Sequence, residues 1–252
     1  MPINTPMVME IDRKTWLIQE YGLDCCYALL GGDRGLLIDT GCGRMPIRPL
    51  AQRLFAGRPY EVVLTHGHAH HAGGARQFDV VHCGDDLLDA GAEETPVRDF
   101  CAPEFFVVPR KTEVLPLFTG DVFQLGDREV LCVRTPGHSA GGCSFYDRQS
   151  GIAFTGDAMG KTMDVDCVSD ALTGLMCLKR MAGGLNRIYP GHVDYRDCRA
   201  LPPETLSDAI GACRAALAPD GKNGRVRFRS VTLTYRHSWA PQEPSSPYPL
   251  GL

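Results

Sequence analysis

The chain has 252 residues, 44% of them hydrophobic, which is enough to bury a substantial core and close to the upper size for one domain. Its formal net charge is -4 with 22% charged residues, so composition supplies no basic face for nucleic acid or an anionic membrane surface. We therefore expect a single domain over 1–252 that binds neither, with a small molecule as its substrate.

The opening stretch "MPINTPMVMEIDRKTW" lacks a basic segment followed by an apolar one, and no apolar run approaches a membrane span. The 11 cysteines are odd in number and irregularly spaced, with no CxxC pair. That pattern argues for reduced thiols and a cytoplasmic location, and against a disulfide framework or a thiolate zinc finger.

Short apolar, β-rich runs come first: "TWLIQE" (15–20), "CYALLG" (26–31) and "GLLID" (35–39). A helical pattern follows in "PIRPLAQRLFAG" (46–57), which opens on proline and closes on glycine. Two further strands are expected in "YEVVLT" (60–65) and "DVVHC" (79–83). Residues 92–119, with Phe105 and Phe106, read as a long loop, either an apolar wall for the site or core packing. Strands resume at 128–135, 142–147 and 151–156. A helix over 169–184 has Ser169 as its expected N-cap, and a strand at 186–191 follows. The helix over 203–218 carries Leu206, Ile210, Cys213 and Leu217 on one face. The last strand, 226–236, either closes a sheet or serves a homodimer contact, and the proline-rich tail 239–252 is expected to be flexible. Strands mixed with helices over this length predict α/β layers. A strand-rich half at 15–85 is echoed by another at 120–192, each sending a histidine-bearing loop off a strand end.

The chemistry concentrates in four segments. "THGHAHHAGG" carries His66, His68, His70 and His71; "TPGHSAGG" carries His138; "FTGDA" carries Asp157; "YPGH" carries His192. Each directly follows a short apolar run, and in layered α/β proteins sites form from loops leaving strand ends. Imidazole and carboxylate together suit zinc and similar divalent ions. His66 and His68, two apart on extended backbone, point the same way and can grip one ion. His70 and His71 lie where the chain bends towards a helix and can turn to a second. Isolated histidines are usually structural or surface residues, and His82 and His237 are read that way.

In this order and separation the segments resemble the metallo-β-lactamase superfamily, and "LLIDTG" (36–41) matches its early strand-turn motif. The resemblance covers about 15–195. It implies an αββα sandwich of two mixed β-sheets flanked by helices, with metals at one edge. It also implies that His66, His68 and His138 hold a first ion and His71 and His192 a second, with Asp157 bridging or serving the second and Asp39 supporting the site. The family usually has aspartate where His70 stands, so H-x-H-x-D-H is here H-x-H-x-H-H. With His70 as a ligand, two divalent ions, a hydroxide and Asp157 sum to about +2, against about +1 in the usual site; with His70 swung away, the second site binds weakly or stays empty.

The resemblance implies metal-assisted hydrolysis by water acidified at the centre that His66, His68, His138 and Asp157 hold. A small-molecule ester-type bond (thioester, lactone, carboxylic ester or amide) is the expected substrate, ahead of phosphodiesters because no basic surface is evident. One or two zinc ions are expected, with iron or manganese less favoured by a nitrogen-rich donor set. Alternatives are a mononuclear iron enzyme resembling sulfur dioxygenases and a catalytically silent metal-binding protein. Lys161 and Tyr195 are candidate substrate-binding residues: Lys161 follows Asp157 by four positions, and Tyr195 follows His192 by three.

Overall fold

The computed structural model describes residues 6–20, 22, 24–84, 112–194, 198–218 and 224–237. Strands β1 (Met7–Asp12), β2 (Thr15–Glu20), β3 (Asp24–Leu30), β4 (Gly35–Ile38), β5 (Tyr60–Val63), β6 (Val80–Cys83) and β7 (Glu113–Pro116) lie side by side in that order in one sheet. The first four pair antiparallel, and β4 to β7 run parallel. A second sheet contains β8 (Val122–Gln124), β9 (Glu129–Arg134), β10 (Cys143–Asp147), β11 (Ile152–Gly156) and, parallel to β11, β13 (Arg187–Pro190). Its order is β13-β11-β10-β9-β8.

Alternation along the strands decides how these sheets stack. In β3, Cys25, Tyr27 and Leu29 face the second sheet, whose Cys132, Phe145 and Phe154 join the same cluster. Cys26, Ala28 and Leu30 face the other way, onto helix α1 (Ile47–Leu54), which buries Ile47, Leu50 and Ala51. On the far side of the second sheet, Leu131, Val133 and Ala153 meet helices α3 (Val168–Met181) and α4 (Glu204–Ala216). These are the helix, sheet, sheet and helix layers of the expected sandwich. In α4, Leu206, Ile210 and Cys213 are buried, with Leu217 partly buried beside them, as the helical spacing predicts.

A third, three-stranded sheet adds to that architecture: β12 (Thr162–Cys167), β15 (Val231–His237) and β14 (Arg225–Phe228), in that order. The run expected as one strand over 226–236 is thus a hairpin, because Arg229 takes a left-handed φ of 49° and the chain reverses there. Asp208 of α4 holds that turn by accepting from Ser230 Oγ at 2.7 Å. Ser169 is not the cap of α3: the helix opens at Val168, with Cys167, two residues earlier, at the cap position and no side-chain capping bond. β7 occupies part of the stretch expected as loop over 92–119. Residues 92–111 of that stretch, with Phe105 and Phe106, and the tail 239–252 lie outside the described residues.

At one end of the sandwich, Arg128 and Asp147 form a buried pair, Nη2 to Oδ2 at 2.6 Å, and Arg128 also donates to Thr15 Oγ1 across the two sheets. The strand ends that carry the histidines lie at the opposite end. Among the described residues ten cysteines are free thiols, and no helix is long and apolar enough to cross a membrane.

Candidate metal centre

The loops after β4, β5, β9, β11 and β13 deliver Asp39, the histidine run, His138, Asp157 and His192 to one place. After β5 the chain stays extended through His68 and then winds into the single turn α2 (Ala69–Ala72), which turns His70 and His71 inward. His71 is fully buried, whereas His70 keeps 38% of its side chain exposed. All seven expected donors converge.

Asp157 is the focus. Its Oδ2 lies 3.2 Å from His192 Nε2, 3.4 Å from His70 Nε2, 3.5 Å from His138 Nε2 and 3.9 Å from His66 Nε2. Its Oδ1 lies 3.4 Å from His71 Nε2. Beside it, His68 Nδ1 stands 3.1 Å from His66 Nε2 and 3.0 Å from His138 Nε2. Ligands of one tetrahedral zinc ion stand roughly 3.3–3.6 Å apart, given bonds of about 2.0–2.2 Å. Among the described residues, three sets have donor atoms all within 4.8 Å of one another: His66, His68 and His138; His66, His70, His71 and Asp157; and Asp24, His70 and His192.

In His66, His71, His138 and His192 the ring nitrogen facing away from this focus has a partner too, which sets tautomer and orientation. Thr65 Oγ1 donates to Asp39 Oδ2 at 2.8 Å, so it accepts from His66 Nδ1 at 3.1 Å and leaves Nε2 bare towards the centre. Asp39 also accepts from His71 Nδ1 at 3.0 Å, and Asp164 O accepts from His138 Nδ1 at 2.6 Å. Asp24 Oδ1 faces His192 Nδ1 at 3.5 Å. Asp39 keeps its place with a left-handed φ of 63°, tied down by Thr65 N donating to its Oδ1.

The charges follow from these contacts. Burial, reinforced by the neighbouring His71, pushes His66 well below the usual imidazole range, and burial also lowers His68. Burial opposes ionisation of Asp157, but the rings of His192, His70 and His71 outweigh it and hold the carboxyl well below the usual range. For His71 burial is outweighed by the Asp39 carboxylate and by Asp157, which raise it to about 10. Asp24 is raised by its burial.

These residues fit a divalent metal on two structural grounds. His71 Nε2 and Asp157 Oδ1 are both buried, and neither makes a hydrogen bond, an expensive arrangement unless something else satisfies both atoms. They face each other with the remaining donors around them. Gly191, just before His192, lets the chain pass there: a Cβ would collide with Asp157 Oδ1 and His71 Cε1.

Lys161 lies at the exposed entry to β12, outside the group gathered round Asp157, with its carbonyl accepting from Thr232 N. Tyr195 lies outside the described residues. Tyr189 packs in the core against Tyr27 and Phe154. His82, on β6, faces Glu61 and Phe123 and stays apart from the centre, and the side chain of His237 is not described. Asp24, Thr65 and the Asp164 carbonyl have no place in the sequence-based donor set. Thr65 is legible in hindsight as the residue before His66, while Asp24 carries no motif beyond a lone acid at the head of an apolar strand.

A layered αββα fold with a histidine-rich centre at one sandwich edge defines a metallo-hydrolase of the metallo-β-lactamase kind. The chain belongs to the metallo-beta-lactamase superfamily, whose profile matches residues 25–220. The acyl-coenzyme A thioesterase MBLAC2 of Gallus gallus is 31% identical to it, over 64% of this chain and 69% of that protein. A hydroxyacylglutathione hydrolase of Cereibacter sphaeroides is 26% identical, over 58% of this chain and 46% of its own. Among solved structures, a metallo-beta-lactamase from Pontibacter korlensis superposes with a TM-score of 0.61 at 19% identity, covering 83% of this chain and 99% of its own. At that identity the structural match speaks for the fold alone.

Proposed function

We propose that the protein is a thioester hydrolase that works with two zinc ions. The observation that carries this reading is the Asp157 carboxylate ringed by nitrogens of five histidines, with His68 completing the first set. Six imidazoles and one carboxylate suit zinc better than iron or manganese. His66, His68 and His138 would hold one ion, and His70, His71 and His192 the other, with Asp157 between them. When bound, divalent ions there supply Lewis acidity, acidifying water and taking up negative charge on an oxygen.

The chain's own residues prepare that chemistry. Asp39 and Thr65 fix the rings of His71 and His66, and the Asp164 carbonyl fixes His138, so each presents a set nitrogen without reorganising. Asp157 remains ionised across the neutral range. A thioester suits a centre whose titratable groups are committed to holding metal. Its leaving thiolate is stable near neutral pH, so expulsion does not demand a dedicated proton donor. Relatives named as acyl-coenzyme A thioesterase and hydroxyacylglutathione hydrolase support the same bond type.

The test is a screen of zinc-loaded protein against acyl-coenzyme A, acylglutathione, lactone, carboxylic ester, phosphodiester and β-lactam substrates, with metal content measured alongside. We expect thioesters to lead by at least about tenfold in kcat/KM, a difference of about 1.4 kcal/mol in the barrier. Full metal content with no turnover on any panel member would instead mark a silent metal-binding protein. Bound iron with oxygen consumption would mark an oxygenase.

A further inference from the structure

The loop that carries the histidines is one carboxylate short. With His70 in the place of the usual aspartate, the second set of donors is built from imidazoles and the shared Asp157 alone, which leaves two divalent ions with less negative charge around them. A buried acid from another part of the chain stands beside that set. Asp24 opens β3, is 4% exposed, and points its Oδ1 at His192 Nδ1 from 3.5 Å. Its carboxylate also lies within 4.8 Å of a His70 nitrogen, and the His70 and His192 rings stack at 5.4 Å with 24° between their planes.

The backbone makes this placement specific. The head of β3 is stitched to the His192 loop: Cys25 N donates to Gly191 O at 2.9 Å, and Tyr27 Oη donates to Pro190 O at 2.5 Å. From β2, Gln19 Nε2 donates to Val193 O at 2.8 Å. Glu20, paired with Asp24 in the β2–β3 register, turns its own carboxylate to Cys42 N and so serves a different loop.

We propose that Asp24 restores to the second metal set the negative charge that His70 removes, acting through the His192 ring as a positioning residue. By accepting from Nδ1 it would keep the His192 lone pair on Nε2, the nitrogen that faces Asp157, and raise the basicity of that ligand. This rests on the two-ion reading above. In formal charge it brings the centre from about +2 back to about +1.

The experiment is stepwise zinc binding, followed by competition with a chromophoric chelator, in the wild type, Asp24→Asn, His70→Asp and the double variant. Asp24→Asn should weaken the second equivalent by about 10–100-fold and leave the first unchanged. In the double variant, where the loop again carries its acid, Asp24→Asn should have little effect, so the two substitutions are strongly non-additive. Two tight equivalents in Asp24→Asn overturn the proposal and leave the two-ion reading standing. Equal weakening of both equivalents overturns it as well, because that marks a general structural role. A single equivalent in the wild type removes the two-ion reading and this proposal together. Should Asp24→Asn fail to fold, Asp24→Glu displaces the carboxylate by one methylene and must alter the second equivalent; an unchanged value overturns the proposal.

Discussion

His71 and Asp39 meet in the interior, Nδ1 to Oδ2 at 3.0 Å, with both side chains essentially inaccessible to solvent. The pair has a consequence for the metal-free protein. His71 is raised from 6.5 to about 10, burial being outweighed by Asp39 and Asp157. The folded chain then binds one more proton than the unfolded chain between those two values. The stability from this group is fully present below pH 6.5 and is lost as pH rises through about 10. Denaturant titrations of metal-free protein across that window should show the decline. Asp39→Asn, which tolerates the left-handed backbone, should flatten it, and an equal slope in both proteins would refute the assignment.

On the proposed two-ion reading the same proton must leave when a metal arrives, because a ligating nitrogen cannot carry one. At pH 8 we expect zinc uptake to release about one proton from His71 per chain. Titration calorimetry in buffers of different ionisation enthalpy reads that number directly. No buffer dependence would mean that His71 is already neutral or does not ligate.

His66→Ala and His138→Ala each remove a nitrogen from the set that His68 completes. We expect kcat/KM to fall by roughly 1,000-fold or more, the equivalent of several kcal/mol of lost Lewis-acid stabilisation. Metal content should fall with it while the far-ultraviolet circular dichroism is kept. Full turnover in either variant would remove that residue from the centre.

Gly191→Ala tests the close passage of the chain beside the donors. The new methyl would press on Asp157 Oδ1 and His71 Cε1, both within 3.0 Å of its position. Activity and metal content should both collapse, whereas Gly183→Ala, at a glycine with open space around it, should change neither.

The parts of the molecule legible from sequence are those where candidate donors cluster at strand ends or an apolar period repeats. His66, His68, His138 and His192 stand out because each follows an apolar strand and is flanked by glycine, and α4 stands out because its apolar residues repeat at helical spacing. What escapes is set by weaker forces. β12 does alternate, with Met163, Val165 and Cys167 buried and Thr162, Asp164 and Asp166 exposed, but the charged residues disguise it. The β14–β15 turn depends on one positive φ at Arg229, which no residue type announces. Asp24 reaches the centre only because β3 lies beside the His192 loop, a long-range relation that local patterns do not encode.

Away from the centre, the Arg128–Asp147 pair offers a test of the scaffold alone. Asp147 is fully buried, and its Oδ2 accepts from Arg128 Nε at 3.0 Å and from Nη2 at 2.6 Å. Arg128 also donates to Thr15 Oγ1 at 2.7 Å and to Lys14 O at 3.3 Å, so one guanidinium joins the two sheets. Removing the acid strands a buried cation, which typically costs about 3–5 kcal/mol, whereas replacing both partners with apolar groups of similar volume is often neutral. Asp147→Asn should therefore lower stability in urea by about that amount, and Arg128→Met with Asp147→Leu should recover most of it. Because the histidine loops leave the opposite ends of these strands, the folded fraction of Asp147→Asn should keep its full metal content. A loss below about 1 kcal/mol would place the pair with ordinary surface ion pairs despite its burial.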